Sequence, residues 1–138
     1  MEYSTADITD IKSALDTSSI SAQELLELQL TQIERQQKAL NCYIELDPQG
    51  ARIAAECSDQ RRKAGRSLSF IDGIPMAVKD NIDVTGMPTR NGSKFTHQSF
   101  GDANVVAALR NSGAIILGKL NMDECAIGGT TSNPHFGP

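Results

Sequence analysis

The sequence has no tryptophan and only six other aromatic residues, so any core must rest on Leu, Ile, Val and Ala. Cysteine is scarce as well. Cys42, Cys57 and Cys125 are widely separated and odd in number, and they lack the C-x-x-C spacing of a zinc or redox site. They are expected to be reduced and mostly buried. No apolar run approaches the ~20 residues that span a bilayer. The start, MEYSTADITDIKSALD, has neither the basic n-region nor the apolar h-region of a secretory leader, which makes a cytoplasmic location the default. Asn91-Gly92-Ser93 fits the glycosylation acceptor pattern, but that pattern has no meaning without secretion. Positive charge is not in excess: 17 acidic against 13 basic residues give a formal charge of -4. Such a surface disfavours attraction to nucleic-acid phosphates or anionic membranes. The one dense basic cluster, Arg61-Arg62-Lys63 with Arg66, falls at a predicted helix end, where cations complement the helix dipole. There is no internal repeat and no low-complexity linker.

What is present is an ordinary globular composition, 39% hydrophobic and 22% charged over 138 residues, within the size of one domain. Ile8, Ile11 and Leu15 lie on one face of a short helix predicted over residues 7–15. Ser21 and Glu24 form a capping-box pattern ahead of Leu25, Leu26, Leu28, Leu30 and Ile33, which predicts a helix to about Leu40. Cys42 to Leu46 reads as a short strand. Pro48 opens a third helix that stops at Gly65. From Leu68 onward, apolar runs alternate with turn residues: Met76-Ala77-Val78, then Ile82 to Gly86. Asn104 to Arg110 reads as a helix ended by Gly113, and Ala114-Ile115-Ile116-Leu117 as a fully buried strand. The alternation predicts an α/β fold: an N-terminal helical layer, then part of a mixed, largely parallel sheet covered by helices. Residues 1–66 form the mainly helical layer of this scheme, and 67–138 begin the α/β core.

Gly113 to Lys119 matches the first seven positions of a phosphate-binding loop, G-x-x-x-x-G-K, but Leu120 stands where a magnesium-binding Ser or Thr belongs. Ala-Ile-Ile-Leu also favours a strand over a phosphate cradle. Asp80, Asp83, Asp123, Glu124, His97 and His135 show no metal-ligand spacing, and no metal is expected. They read as caps, turn residues and surface charges, and Asn121 to Glu124 reads as a helix entry. Lys79 is different. It ends the apolar run Met76-Ala77-Val78, where low-dielectric surroundings would desolvate its amine and favour the neutral, proton-accepting form. The plain alternative is a lysine that pairs with Asp80 or snorkels to the surface; against it, sites gather at strand ends of α/β sheets, and Asp80 and Asn81 follow rather than a simple surface turn.

Gly73-Ile74-Pro75-Met76-Ala77-Val78-Lys79-Asp80-Asn81-Ile82, Thr85 to Thr89, Asp102 through Glu124, and Asn133-Pro134-His135-Phe136-Gly137 together resemble the N-terminal part of amidase signature enzymes. The likeness runs from about Ser21 to Pro138. It implies a Ser/cis-Ser/Lys triad whose lysine matches Lys79, supported by Asp80 and Asn81, with neutral Lys79 drawing a proton through the bridging serine from the nucleophile. It implies further that Ala126, Ile127, Gly128, Gly129 and Thr130 wall a substrate channel, and that no cofactor is needed. Cys125 stands where relatives often carry a phenylalanine. In the family both serines lie downstream of the Asn-Pro-x-Phe-Gly stretch, and neither Ser93 nor Ser132 has a matching context. The 138 residues alone are therefore expected to be an incomplete and inactive part of a single amidase domain. They would need a small amide substrate and either a C-terminal portion or a partner chain carrying the serines. No direct nucleic-acid contact is expected, and a homo-oligomer stays open. The stretch Asn133 to Phe136 looks more like general amidases than like the A subunit of a glutamyl-tRNA(Gln) amidotransferase. That amidotransferase component is the alternative, as is a non-catalytic fragment or split-enzyme half.

Overall fold

The computed structural model describes residues 6–138. Helix α1 (Ile8–Asp16) begins at Asp7, whose carboxylate accepts from the Thr9 and Asp10 amides. Helix α2 (Ala22–Leu40) has the complete capping box: the Ser21 hydroxyl accepts from the Glu24 amide, and the Glu24 carboxylate accepts from the Ser21 amide. Asn41 ends it with φ 47°, a left-handed cap that asparagine tolerates. Strand β1 (Tyr43–Leu46) follows, then α3 (Pro48–Lys63), with Asp47 capping the Gly50 amide and Arg61, Arg62 and Lys63 in the last turn. Beyond it come β2 (Pro75–Lys79), the two-residue strands β3 (Pro88–Thr89) and β4 (His97–Gln98), α4 (Asn104–Asn111) and β5 (Ile115–Leu120). The Ile82 to Gly86 run is not a strand. Val84 and Met87 form a single bridge there, because Gly86 turns the chain back at φ 86°.

The main sheet has the order β1-β5-β2. Strand β5 pairs antiparallel with β1 and parallel with β2, which is the mixed sheet expected of the helix–strand alternation. β5 lies between two strands and is buried from Ile115 to Lys119, so its sequence is apolar on both faces. Ile115 and Leu117 pack into the larger core with Leu15, Leu25, Leu26, Ala51 and Ala55 of the helices. Ile116 packs into a smaller one with Val78, Val84, Met87 and Val106. The Gly113 to Lys119 stretch is thus a turn and a strand, not a phosphate loop. Gly118 is required for a different reason: a Cβ there would collide with the Glu45 carbonyl oxygen of β1.

Two expectations are corrected here. Cys42, Cys57 and Cys125 are all exposed and free. Cys42 lies outside β1, Cys57 is on the outer face of α3 while Ala51, Ala55 and Ser58 turn inward, and Cys125 sits on a surface turn. The basic cluster does more than complement a helix end. Arg61 grips the fully buried Asp72 with two bonds, Nη2 to Oδ1 at 2.6 Å and Nε to Oδ2 at 3.1 Å, and Arg62 donates to the Asp72 carbonyl and to Asp16. Among the described residues no helix is long and apolar enough to cross a membrane.

Burial alone would raise the Asp72 carboxyl, but the Arg61 pair and the Leu68 amide outweigh it and hold the group below the ordinary carboxylate range. A folded value below the unfolded one contributes stability that is present above about pH 4 and lost as pH falls through the folded value. Resistance to unfolding by urea is therefore expected to fall below about pH 4. Arg61→Ala, by leaving Asp72 buried without its partner, should cost about 3 kcal/mol at pH 7 and flatten that acid dependence.

Candidate active site

The site is built where β2 and β5 end together. Val78 and Asp80 turn inward and are buried, and Lys79 between them turns outward, as strand alternation requires. Lys79 is exposed, and among the described residues its side chain makes no hydrogen bond or ion pair. The desolvation expected of it is absent from this segment, because the apolar run before it covers the opposite faces of the strand.

The desolvated lysine is Lys119. Its side chain is 0% exposed, as is that of Asp80, and its amine lies 3.5 Å from Asp80 Oδ1. It donates to the Thr89 hydroxyl at 3.2 Å and the Pro88 carbonyl at 3.3 Å, so three acceptors surround three N–H groups. Burial lowers the affinity of the Lys119 amine for its proton, and the Asp80 carboxylate partly restores it. At 3.5 Å the Asp80 contact is an ion pair rather than a good hydrogen bond, and Oδ1 has no other donor. Asp80 is thus not the turn or surface charge its sequence context suggests. Strict alternation along β5 would place Lys119 with Ile115 and Leu117 under the helices. The register slips by one residue between Met76 and Ala77, opposite Ile116 and Gly118, and this turns Lys119 toward Pro88 and Thr89.

Asp80 also anchors the loops. Its amide donates to the Leu120 carbonyl at 3.2 Å, its carbonyl accepts from the Asn91 amide at 3.4 Å, and Oδ2 accepts from the Gly92 amide at 3.1 Å. From there the contacts pass to the segment after β5. The Cys125 amide donates to the Asn91 carbonyl at 2.9 Å, and buried Asn133 donates to the Gly92 and Met122 carbonyls at 2.7 and 2.6 Å. Asn81, exposed, lines an open cleft of about 570 Å³ with Asp83, Arg90, Asn91 and His97. No side-chain bond among the described residues joins Lys79 to Ala126, Ile127, Gly128, Gly129 or Thr130. The link runs through Asp80, Asn91 and Cys125.

Residues 126–130 are exposed, and instead of the expected helix entry the chain makes only a three-residue 3-10 turn, Glu124–Ala126. Asp123 organises this stretch. Its carboxylate accepts from the amides of Thr130, Thr131 and Ser132 at 2.9 to 3.2 Å. Gly128 lies so close that a Cβ would come within 2.6 Å of the same carboxyl. Glu124 bonds His135 at 3.0 Å, which holds its carboxyl below the usual range. Among the described residues no group of three His, Cys, Asp or Glu side chains is placed to hold a metal ion.

Sequence reading missed the Lys119–Asp80 pair and the roles of Asn133 and Asp123. One signal was available: a lysine inside a run as apolar as Ala114 to Leu117 needs a buried acid, and Asp80 ends the neighbouring apolar run. If Asp123 organises the loop, Asp123→Ala should raise hydrogen exchange at the amides of Thr130, Thr131 and Ser132 by tenfold or more, given about 1.5 to 3 kcal/mol for bonds to a charged group. Exchange within β5 should be unchanged.

Comparison with known proteins shows the family of the chain. The Amidase family profile matches residues 24–138. In the glutamyl-tRNA(Gln) amidotransferase of Aromatoleum aromaticum, the A subunit is 43% identical over 96% of this chain and 27% of its own length. The corresponding protein of Salinibacter ruber is 38% identical over 100% of this chain and 27% of its own. Among solved structures, the native peptide amidase of Stenotrophomonas maltophilia superposes with a TM-score of 0.84 at 31% identity, covering 89% of this chain and 26% of that one. A chain of a vestigial protein complex bearing on the origins of an s-triazine catabolic enzyme gives 0.92 at 34%, covering 96% and 30%. The chain thus spans about a quarter of the length of the curated relatives it matches. With most of its residues inside the family profile and its fold shared with amidases of known structure, the chain belongs to the amidase family.

Proposed function

We propose that the whole protein hydrolyses a small, non-peptide carboxamide through an acyl-enzyme, with Lys79 as its general base. The observation that carries this reading is the placement of Lys79. It is a lysine whose side chain has no partner among the described residues, at the carboxyl end of a strand in a parallel pair, set between two residues, Val78 and Asp80, that are themselves buried. The exposure of Lys79 leaves space for hydroxyl partners and substrate to close over it, and that closure would supply the desolvation these 138 residues do not.

In this reading the neutral amine takes a proton from a bridging serine hydroxyl as that serine takes one from the nucleophile. The nucleophilic oxygen bonds to the carboxamide carbon, the C–N bond breaks, and the amine departs with the proton. Water then cleaves the acyl ester. Both serines and the oxyanion donors lie outside the 138 residues, in a C-terminal portion or a partner chain, so this segment alone is inactive. Asp80 and Asn81 support the lysine, and residues 126–130 wall the substrate channel.

A second reading concerns the substrate. Relatives 37 to 43% identical are named as the A subunit of glutamyl-tRNA(Gln) amidotransferase, which favours glutamine as the amide and ammonia transfer to a partner as the outcome. This outweighs the general-amidase look of Asn133 to Phe136.

Ammonia release by the whole protein from L-glutamine and from benzamide tests both readings. Lys79→Ala is expected to lower kcat by about 10² to 10⁴ on whichever amide is turned over, the range for loss of a general base. Unchanged kcat in Lys79→Ala would overturn the assignment. Turnover of glutamine alone would favour the amidotransferase reading.

A further inference from the structure

We infer that the buried Asp80–Lys119 pair, with the Thr89 hydroxyl, is a positioning device that fixes the direction of Lys79 and the loop beside it. The inference rests on the reading of Lys79 as the base.

The first argument is location. Asp80 directly follows Lys79, and all of its polar groups except Oδ1 are hydrogen-bonded: its amide to β5, its carbonyl to Asn91, and Oδ2 to Gly92. The remaining oxygen faces Lys119. Lys119 in turn holds Pro88 and Thr89, the start of the same loop that Asp80 holds at Asn91 and Gly92. The 88–92 stretch is therefore tied at one end to Lys119 of β5 and at the other to Asp80, the residue directly after β2, the strand paired with β5. Lys79 lies opposite Leu120 in that pairing, so the backbone carrying its side chain is fixed on the β5 side and at the following residue.

The second argument is chemistry. A fully buried ion pair is a poor source of stability compared with apolar residues of the same volume. Here it stands at the end of the sheet from which Lys79 projects with no side-chain partner among the described residues, and the cluster of Val78, Val84, Met87, Val106 and Ile116 on that side of the sheet shows that this core accepts apolar side chains. What a charged pair adds over apolar packing is direction, and a base displaced by about 1 Å loses on the order of 10² in rate.

Asp80→Asn or Lys119→Met alone strands a buried charge, so the informative variant is Asp80→Asn/Lys119→Met, which removes both charges. In the whole protein, with ammonia release from the amide it turns over, this variant should keep a melting temperature close to that of the parent. Its kcat should fall tenfold or more with KM within about threefold. In a Lys79→Ala background the same double substitution should cause no further fall, because the pair acts through Lys79. Parental kcat at parental melting temperature would overturn the inference, while an inactive Lys79→Ala would leave the assignment of the base intact. A fully active Lys79→Ala would instead overturn that assignment and the inference with it. If the double variant does not fold, Thr89→Val decides, since it removes one acceptor of Lys119 without stranding a charge. A threefold or greater loss of kcat at constant KM supports the positioning role, and unchanged kcat overturns it.

Discussion

The parallel pairing of β2 with β5 is the constraint on which the rest of this structure depends. It pairs residues 40 or 41 positions apart, in segments joined through α4, and it places the ends of two apolar runs side by side, Lys79 opposite Leu120. β5 pairs on its other edge with β1 and meets a core on each face, so each polar group on it needs a partner inside the protein. Lys119 meets that requirement with Asp80, Thr89 and Pro88, and Asn121, just past the strand, meets it with the Asn41 and Gly137 carbonyls. Those contacts, with Asp80 on Gly92 and Asn133 on Gly92 and Met122, attach the 88–92 stretch and the 121–137 segment to the sheet end at several points.

Two lysines at one sheet end thus have opposite surroundings. Lys119 is enclosed and surrounded by acceptors, while the Lys79 side chain is exposed and among the described residues has none. The difference comes from backbone geometry rather than composition: alternation turns Lys79 away from the core, and a one-residue register shift turns Lys119 into it. An enclosed cation with three acceptors suits a structural role. An exposed amine on a fixed backbone suits proton transfer once other groups close over it.

The local elements were legible because their signals are local. Ser21 and Glu24 mark the start of α2 through hydrogen bonds three residues apart, Pro48 marks α3, and the Ala114 to Leu117 run marks the central strand. The position of Lys79 at a strand end was legible too, through the run Met76-Ala77-Val78 before it and the family resemblance. Which lysine is buried was not, because it depends on the pairing of residues about 40 apart and on the register slip between Met76 and Ala77. Asp80 resembled a turn residue since its partner is on another strand. The exposed cysteines were misread for a related reason: burial on α3 depends on which face meets the sheet, and Cys57 lies just off that face. Asp123 and Asn133 resemble loop residues in sequence, and only the folded loops show how many amides and carbonyls each one holds.

The central claim is that the exposed end of β2 carries the base of an amide hydrolase. The most direct test is an experimental structure of the whole protein trapped with an amide-derived acyl group. The account predicts that the acylated residue is a serine and that Lys79 Nζ lies within hydrogen-bond reach, about 3 Å, of a second serine hydroxyl bridging the two. An acyl group bound elsewhere, or Lys79 still directed into solvent in that trapped state, would contradict it.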